Sequence, residues 1–256
     1  MALYGVLGDI HANREALEAV LAALAARGAQ KLLCVGDVVG YNADPDECVA
    51  LPRQRAATVI AGNHDLIATG RLGFERCSNK ARYSLGRTRR RLSAHSAAWL
   101  CSLPSRALVA EEIALVHGGV RDVQLYMTSA SHIRRNAELL RADFPSARVC
   151  FFGHSHDQKI YEVTGGEVRE LPLDRPSALS RERRYFVNAG SVDAQRKRSE
   201  RLAECALFDS NAWTVEFLRV PYNAAATEAK AAAAGYRIPA LTDWLYRLRS
   251  RLLPAT

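Results

Sequence analysis

The chain has 256 residues, of which 48% are hydrophobic and 24% are charged, and this composition is ordinary for a globular protein with a substantial core. No stretch approaches the roughly 20 apolar residues of a membrane-spanning helix, and the six scattered cysteines argue against a disulfide framework or a thiolate metal site. The net charge of +8 predicts a basic surface that attracts anionic substrates or only faces solvent. The start of the sequence has no signal-type stretch, and we expect a cytoplasmic protein.

The first 65 residues alternate short apolar runs with helical patterns. Between Arg14 and Arg27, apolar residues recur at i, i+3, i+4 and i+7, which indicates one buried helix face. Asp44 as N-cap, Pro45 and Glu47 form the start signal of a second helix. This alternation predicts right-handed crossovers in a parallel or mixed sheet. The three predicted strands are Leu3–Leu7, Lys31–Val35 and Thr58–Ile60, each followed within two residues by glycine.

The remaining chain predicts further helices and strands. Residues 66–104 read as mainly helical, with Ser93 as a cap, and another helix runs from about Ser131 to Leu140. Strands are predicted at Leu108–Ala110, Ile113–Val116, Val149–Phe152, Lys159–Val163, Val168–Leu171, Tyr185–Val187, Ala203–Phe208 and Trp213–Val220. Residues 222–256 are expected to form a C-terminal helical extension packed on the body or on a second subunit. No composition break marks a boundary, so we expect one domain over residues 1–256 with two face-to-face sheets.

Five short polar stretches at predicted strand ends carry side chains of the types that bind metals in proteins. They are Gly8–Asn13, Gly36–Pro45, Gly62–Asp65, His117–Gly119 and Gly153–Asp157, and they contain five of the seven histidines. Their candidate ligands are Asp9, His11, Asp37, Asn63, His117, His154 and His156. Mixed nitrogen and oxygen donors without thiolate suit manganese, iron, zinc, cobalt or nickel rather than calcium or copper. The set predicts a two-metal hydrolytic site.

The motifs D-x-H, G-D, G-N-H-D, H-G and G-H-x-H, in this order, resemble the calcineurin-like metallophosphoesterase superfamily from Leu3 to about Phe208. The resemblance implies an α/β fold, a four-layer α/β/β/α sandwich of two mixed sheets, and two divalent metal ions. We expect manganese first, with iron, zinc, cobalt or nickel as alternatives. By motif, Asp9, His11 and His156 would hold one ion and Asn63, His117 and His154 the other, with Asp37 bridging them.

The resemblance also makes His64 the catalytic histidine that binds no metal. Two divalent ions about 3.5–4 Å apart activate a shared hydroxide and hold the phosphoryl oxygens for in-line attack. A protonated His64 stabilises the developing charge and donates a proton to the leaving alkoxide. Asn63 and His64 are also expected to contact the substrate.

Residues beside the candidate ligands bear on the substrate. Protein phosphatases and symmetrical dinucleoside tetraphosphatases of the superfamily typically extend the second motif as GD-x-x-x-R-G, whereas Gly40 and Tyr41 stand here where an acid and that arginine would fall. The run is similar to GD-x-x-G-Y-G-x-x-P of the small prokaryotic phosphodiesterase branch. Asn42 replaces a glycine of that pattern and tolerates a left-handed backbone better than most residues. Tyr41 either faces the cleft and contacts substrate or packs in the interior.

A second similarity to that branch lies in residues 188–192, N-A-G-S-V, which resemble its N-P-G-S-V segment beside the active site. The following G-Q-P-R-D of many relatives is only partly kept. Arg196 either binds a substrate phosphate or faces solvent.

The sequence therefore predicts a dinuclear metal-dependent phosphoesterase acting on a phosphodiester or small nucleotide. Alternatives on the same site are a dinucleoside polyphosphate hydrolase, a phosphomonoesterase and a nuclease. From another class, a catalytically inactive binding scaffold shares the fold. We expect a phosphate-ester substrate and no membrane partner. Nucleic acid would be a substrate only, and the sequence leaves the oligomeric state open.

Overall fold

A computed structural model describes residues 2–173, 175–194 and 200–252, with side chains up to residue 248. Two six-stranded mixed sheets form its centre. In spatial order, the first sheet contains β3 (Thr58–Val59), β2 (Lys31–Cys34), β1 (Leu3–Leu7), β11 (Ala203–Asp209), β12 (Thr214–Val220) and β9 (Ser177–Ala178). The second contains β4 (Arg106–Val109), β5 (Ile113–Val116), β6 (Val149–Phe152), β10 (Arg184–Ala189), β7 (Gln158–Thr164) and β8 (Glu167–Glu170).

Helices cover the outer faces of both sheets. They are α1 (Arg14–Ala26), α2 (Pro45–Gln54), α3 (Asn63–Ala68), α4 (Asn79–Arg91), α5 (Ala94–Ser102), α6 (Ala130–Asp143), α7 (Ala224–Ala233) and α8 (Ala240–Leu252). In this described part of the chain, no helix is both long and apolar enough to cross a membrane.

Three apolar cores separate the layers. The central core lies between the sheets and joins Val6 and Leu33 of the first to Phe151 and Val187 of the second. A second core packs α1 onto the first sheet, through the leucine and valine face that the sequence predicts to be buried. A third packs α6 onto the second sheet. The four-layer α/β/β/α sandwich of two mixed sheets is thereby confirmed.

The direction of the strands determines where the polar loops meet. β1, β2 and β3 run parallel in the first sheet, and β5, β6 and β10 run parallel in the second. The carboxyl ends of parallel strands lie at one edge of a sheet, and ligands of α/β proteins bind there. The loops after β1, β2, β3, β5 and β6 carry the five polar stretches.

Some local predictions differ from the structure. Asp44 occupies the N-cap position of α2 but makes no side-chain cap bond, because its carboxylate pairs with Lys230 of α7 instead. The stretch 66–104 is interrupted between Ala68 and Asn79, where turns separate α3 from α4. Asn42 is not among the described residues with positive φ, whereas Gly40 has φ 136°.

The C-terminal helices contact the body through polar groups. Thr227 of α7 donates to Asn13 Oδ1 across 2.9 Å, and Asn79 of α4 donates to Asp243 of α8 across 3.2 Å. The apolar residues of α8 that indicate a packed helix face are exposed in this chain: Leu241, Trp244, Leu245 and Leu248. The single-domain organisation of residues 1–256 stays a prediction.

Candidate metal centre

The first polar loop places Asp9 and His11 on a strained turn. Both residues have positive φ, 50° and 51°, in the left-handed region that side chains rarely adopt. The turn is held by the loop after β2, because the main-chain N–H groups of Ile10 and His11 both donate to Asp37 O across 2.9 Å. Strained residues held by their surroundings are typical of functional sites.

Asp37 lies at the centre of the cluster. Its Oδ1 accepts a hydrogen bond from the main-chain N–H of His64 at 2.8 Å. Its Oδ2 lies 3.3 Å from His117 Nε2 and 3.9 Å from His11 Nε2. A Cβ added to Gly62 would lie 2.1 Å from Asp37 Oδ1, so only glycine permits this approach.

Asn63 and His64 occupy the first turn of α3 rather than a loop. Asp65, to which the sequence gives no role, holds this turn: its Oδ2 accepts from Gly62 N at 2.9 Å and its Oδ1 from Val39 N at 3.1 Å. Burial, together with the negative charge of Asp37, raises the pKa of Asp65 to about 7. Asp65 therefore ties the third polar loop to the second.

The second sheet contributes three histidines. His117 Nδ1 donates to Val35 O at 2.7 Å, so Nε2, which lies 3.0 Å from Asn63 Oδ1, is the ring nitrogen available to a metal ion. His154 and His156 have positive φ of 67° and 62°. The main-chain N–H of His154 donates to Asp9 Oδ2 at 3.0 Å, which fixes the fifth loop against the first.

The candidate ligands converge in two groups. The donor atoms of Asp9, His11 and His156 lie within 4.8 Å of one another, and the same holds for those of Asp37, His117 and His154. Asn63 joins the second group through its contact with His117. The group His11, Asp37 and His64 also satisfies this distance. All seven candidate ligands and His64 are thus brought together.

The chemistry of these donors fits divalent cations. His11 Nε2 and His156 Nε2 face each other at 3.1 Å, and His156 Nε2 lies 3.3 Å from Asp9 Oδ1. His154 Nε2 is buried and has no hydrogen-bond partner. A buried, unpartnered nitrogen is costly, and a cation shared with neighbouring carboxylates would satisfy it.

The electrostatics keep most of these groups in the form that binds metals. Burial opposes the charge on Asp37, but His117 and His64 outweigh it and hold the pKa of Asp37 well below its usual range. Burial and the neighbouring His64 lower the pKa of His11, and burial and His117 lower that of His154 to about 4. Carboxylates and neutral imidazoles are the required ligand forms.

The structure describes one of the two additional residues expected to contact substrate, Tyr41, but not the other, Arg196. Tyr41 is buried and lines the same cavity as Asn63 and His64, with its ring centroid 4.8 Å from that of His64. Its ring also meets the edge of His11 at 4.7 Å. The structure places Tyr41 both in the cleft and in the interior packing. Arg196 lies outside the described residues.

The segment 188–192 connects loops of both sheets. Asn188 Nδ2 donates to Gly153 O at 3.0 Å, and Ser191 Oγ donates to Asp9 O at 3.0 Å. Next to it, buried Asp193 accepts from Asn13 Nδ2 at 2.9 Å. The sequence places residues 188–192 beside the site but gives Asp193 and Asn13 no role, because no local pattern connects residues 180 positions apart.

The chain is similar to known phosphoesterases. A family model described as the calcineurin-like phosphoesterase superfamily domain matches residues 2–212. An uncharacterized protein of Methanocaldococcus jannaschii is 29% identical over 230 residues, which cover 87% of this chain and 88% of that protein.

Two solved structures share the fold over nearly their whole length. A metallophosphoesterase from Sphaerobacter thermophilus is 29% identical with a TM-score of 0.75, covering 95% of this chain and 97% of that one. A hypothetical protein from Pyrococcus horikoshii is 17% identical with a TM-score of 0.72, covering 96% and 97%, and shows the likeness of fold alone.

Proposed function

This chain belongs to the calcineurin-like phosphoesterase superfamily, and from that premise we propose that it is a dinuclear metal-dependent phosphodiesterase. Membership of this family makes the protein a metallophosphoesterase, which is a hydrolase. The two ions, their identity, the roles of the site residues and the choice of substrate are proposals.

The convergence of donors on Asp37 Oδ2 is the observation that carries the dinuclear proposal. This one oxygen lies 3.9 Å from His11 Nε2 and 3.3 Å from His117 Nε2, and those histidines belong to different donor groups. A carboxylate oxygen with spare lone pairs can serve two cations at once. Asp9, His11 and His156 would hold one ion, and Asn63, His117 and His154 the other. The oxygen and nitrogen donor set supports manganese, with iron, zinc, cobalt or nickel as alternatives.

Two divalent ions in this site would supply Lewis acidity and a nucleophile at neutral pH. The chain supplies the positions of the reacting groups. The loops that carry the positive-φ residues Asp9, His11, Asp37 and His154 are joined by hydrogen bonds, which hold these donors in position.

We assign His64 the role of a proton donor to the leaving oxygen. It lines the cavity beside Asn63, and its ring centroid lies 4.6 Å from that of His11. The main-chain N–H of His64 donates a hydrogen bond to Asp37 Oδ1, which anchors the start of α3. A protonated imidazole at this position stabilises negative charge on the phosphoryl oxygens and on the departing alkoxide.

The second polar loop supports a diester rather than a phosphoprotein substrate. Gly40 packs directly against His64 and His11, since a Cβ added there would lie 2.4 Å from His64 Nδ1 and 3.1 Å from His11 Nδ1. An acidic side chain at position 40 would not fit this arrangement. Tyr41 presents an aromatic ring where the phosphatase branches carry their arginine. We therefore propose a phosphodiester or small nucleotide substrate, and the cytoplasmic location stays a prediction.

A hydrolysis assay with and without metal tests the proposal. The purified protein is stripped with a chelator, reloaded with manganese, and assayed on bis(p-nitrophenyl) phosphate beside p-nitrophenyl phosphate. We expect manganese-dependent hydrolysis with preference for the diester. Asp37→Asn should lose both activity and bound manganese. Asp209→Asn, at the opposite end of the strands, is the control that should keep both.

Two results would contradict the proposal. Bound manganese without hydrolysis of either ester would favour a catalytically inactive binding scaffold. Preference for the monoester would overturn the assignment as a diesterase.

A further inference from the structure

The cavity at the metal groups is small. Its volume is about 180 Å³, and Asp37, Asn63, His64, His154 and His156 line it. Pockets for drug-sized ligands usually measure about 300–1,000 Å³. The cavity therefore suits the phosphate of an ester, and the organic part of the ligand has to lie across the rim.

Tyr126 forms an aromatic part of this rim. It lines the same cavity, and its ring centroid lies 4.0 Å from that of His154 at an interplanar angle of 32°. Tyr126 nevertheless stays 46% exposed. Because His154 covers one face, the accessible area lies on the other face and the edge. The other large, exposed aromatic residue among those described is Trp244, on α8.

The segment that carries Tyr126 is held in place. Arg76 Nη1 lies 3.0 Å from both carboxylate oxygens of Asp122, and its Nη2 donates to Gln124 O at 3.1 Å. The main-chain N–H of Gln124 donates to Asp122 Oδ1 at 2.9 Å. A ring on a fixed segment loses little freedom when a ligand stacks on it.

Lys80 brings a positive charge close to the residues that line the cavity. Ser78 caps the N-terminus of α4 and lines the cavity together with Tyr126. In the first turn of α4, Lys80 Nζ lies 5.5 Å from the ring centroid of Tyr41. A positive charge near the cavity and an aromatic face on its rim suit a ligand with one phosphate and one flat aromatic group.

We propose that Tyr126 is the stacking platform for the nucleobase of a nucleotide ligand whose phosphate occupies the cavity. This assignment rests on the proposed phosphoesterase function and narrows its substrate class to nucleotide phosphate esters. A tyrosine face accepts any base, since every base has a flat π-face, so the platform selects for a base and not for a particular one.

Direct binding tests this assignment without turnover. The manganese-loaded protein is titrated by calorimetry with adenosine 5′-monophosphate and with ribose 5-phosphate, which share the sugar and phosphate but differ in the base. We expect adenosine 5′-monophosphate to bind roughly 5- to 100-fold more tightly. Tyr126→Ala should remove this difference, Tyr126→Phe should keep it, and Trp244→Ala, the matched loss of an exposed aromatic residue, should leave both affinities unchanged.

Two outcomes would overturn the platform. Equal affinity of the wild-type protein for the two ligands would show that no base is recognised. An equal loss of affinity for both ligands in Tyr126→Ala would show that the ring only supports His154. Neither outcome depends on hydrolysis. Failure of the Tyr126 proposal can therefore be distinguished from failure of the phosphodiesterase proposal. Melting temperature and bound manganese of each variant establish that the fold and the metal groups are kept.

Discussion

Arg237 donates from Nη2 to Asn42 Oδ1 across 3.2 Å, and Asn42 Nδ2 in turn donates to the main-chain oxygen of His11 across 3.0 Å. Arg237 Nη1 also donates to Tyr41 O at 3.1 Å, and Glu228 of α7 fixes the guanidinium through its two carboxylate oxygens. The segment between α7 and α8, beyond the matched residues 2–212, thus contacts the loops of the metal centre. Asparagine at position 42, where the branch pattern has glycine, supplies the connecting side chain.

Replacing Arg237 should therefore affect activity as well as stability. In Arg237→Gln, Asn42 Oδ1 and Tyr41 O lose their charged donor, and we expect the free energy of unfolding to fall by about 1–3 kcal/mol. Because the loop carries Tyr41 beside His64, kcat should also fall several-fold. Thermal unfolding and diester hydrolysis measure the two effects. Arg247→Gln, which removes an exposed ion pair with Asp243 within α8, should change neither. Equal behaviour of the two variants would contradict the coupling.

Gly40 provides a second test of the same loop. Gly40 has φ 136°, and an added Cβ would lie 2.4 Å from His64 Nδ1. Gly40→Ala should displace the His64 ring and lower kcat by roughly 10²-fold, since catalytic groups tolerate little misplacement. Gly28→Ala is the matched control, because Gly28 also has a positive φ, 79°, but no atom within 4 Å of an added Cβ. Both variants should lose stability through backbone strain, and only Gly40→Ala should lose turnover.

The sequence predicts the helices, the strands and the candidate metal ligands better than it predicts which residues hold those ligands in position. The apolar spacing in α1 indicates a buried face, and the glycine-bounded runs indicate β1 and β2, because periodicity and backbone freedom are properties of neighbouring residues. The sequence predicts Asp44 as the cap of α2, but Lys230, 186 residues away, binds its side chain. Such long-range competition has no local signal.

The position of Tyr126 beside the candidate metal site is likewise not predictable from local sequence. No motif includes it, and its closeness to His154 arises only because β5 and β6 are neighbours in the second sheet. Asp65 lies within a motif, but its part in joining the loops after β2 and β3 depends on the folded main chain at Gly62 and Val39. Motif order identifies ligand types, whereas tertiary contacts determine what orients them.

His64 should be separable from the metal ligands by substitution. We expect His64→Asn to keep bound manganese, because its side chain is not required as a ligand in the proposed assignment. Turnover of diesters with poor leaving groups should fall by roughly 10²–10⁴-fold, because their alkoxides need a proton. Esters with p-nitrophenol as the leaving group should be affected less. His132→Asn on α6, outside the candidate site, is the control. Loss of manganese in His64→Asn would instead make His64 a ligand, as the group with His11 and Asp37 permits.

The last prediction concerns the pH dependence of stability without metal. Burial favours neutral His117, but the charges of Asp37 and Asp9 outweigh burial and raise its pKa to about 9 from an ordinary 6.5. Below pH 6.5 both the folded and the unfolded chain hold this proton, and the stabilisation is fully present. As pH rises towards 9, only the folded chain holds it, so the free energy of unfolding should fall. His154, whose pKa is about 4 in the folded chain and ordinarily 6.5, is largely neutral in both states above about pH 7.5.

The melting temperature of the chelated protein is therefore expected to fall progressively from pH 7.5 to 9. This range begins at pH 7.5 because Asp65, with a pKa of about 7, has released most of its proton by then. His117→Gln removes this titrating group and should make the decline shallower, leaving the part near pH 9 that comes from buried thiols such as Cys34 and Cys150, whose pKa burial raises. His132→Gln should keep the full decline. Manganese should reverse the trend in the wild-type protein, because binding requires neutral His117 and competes with its proton. The same decline in chelated wild type and His117→Gln would show that the Asp37–His117 contact does not control stability in this range.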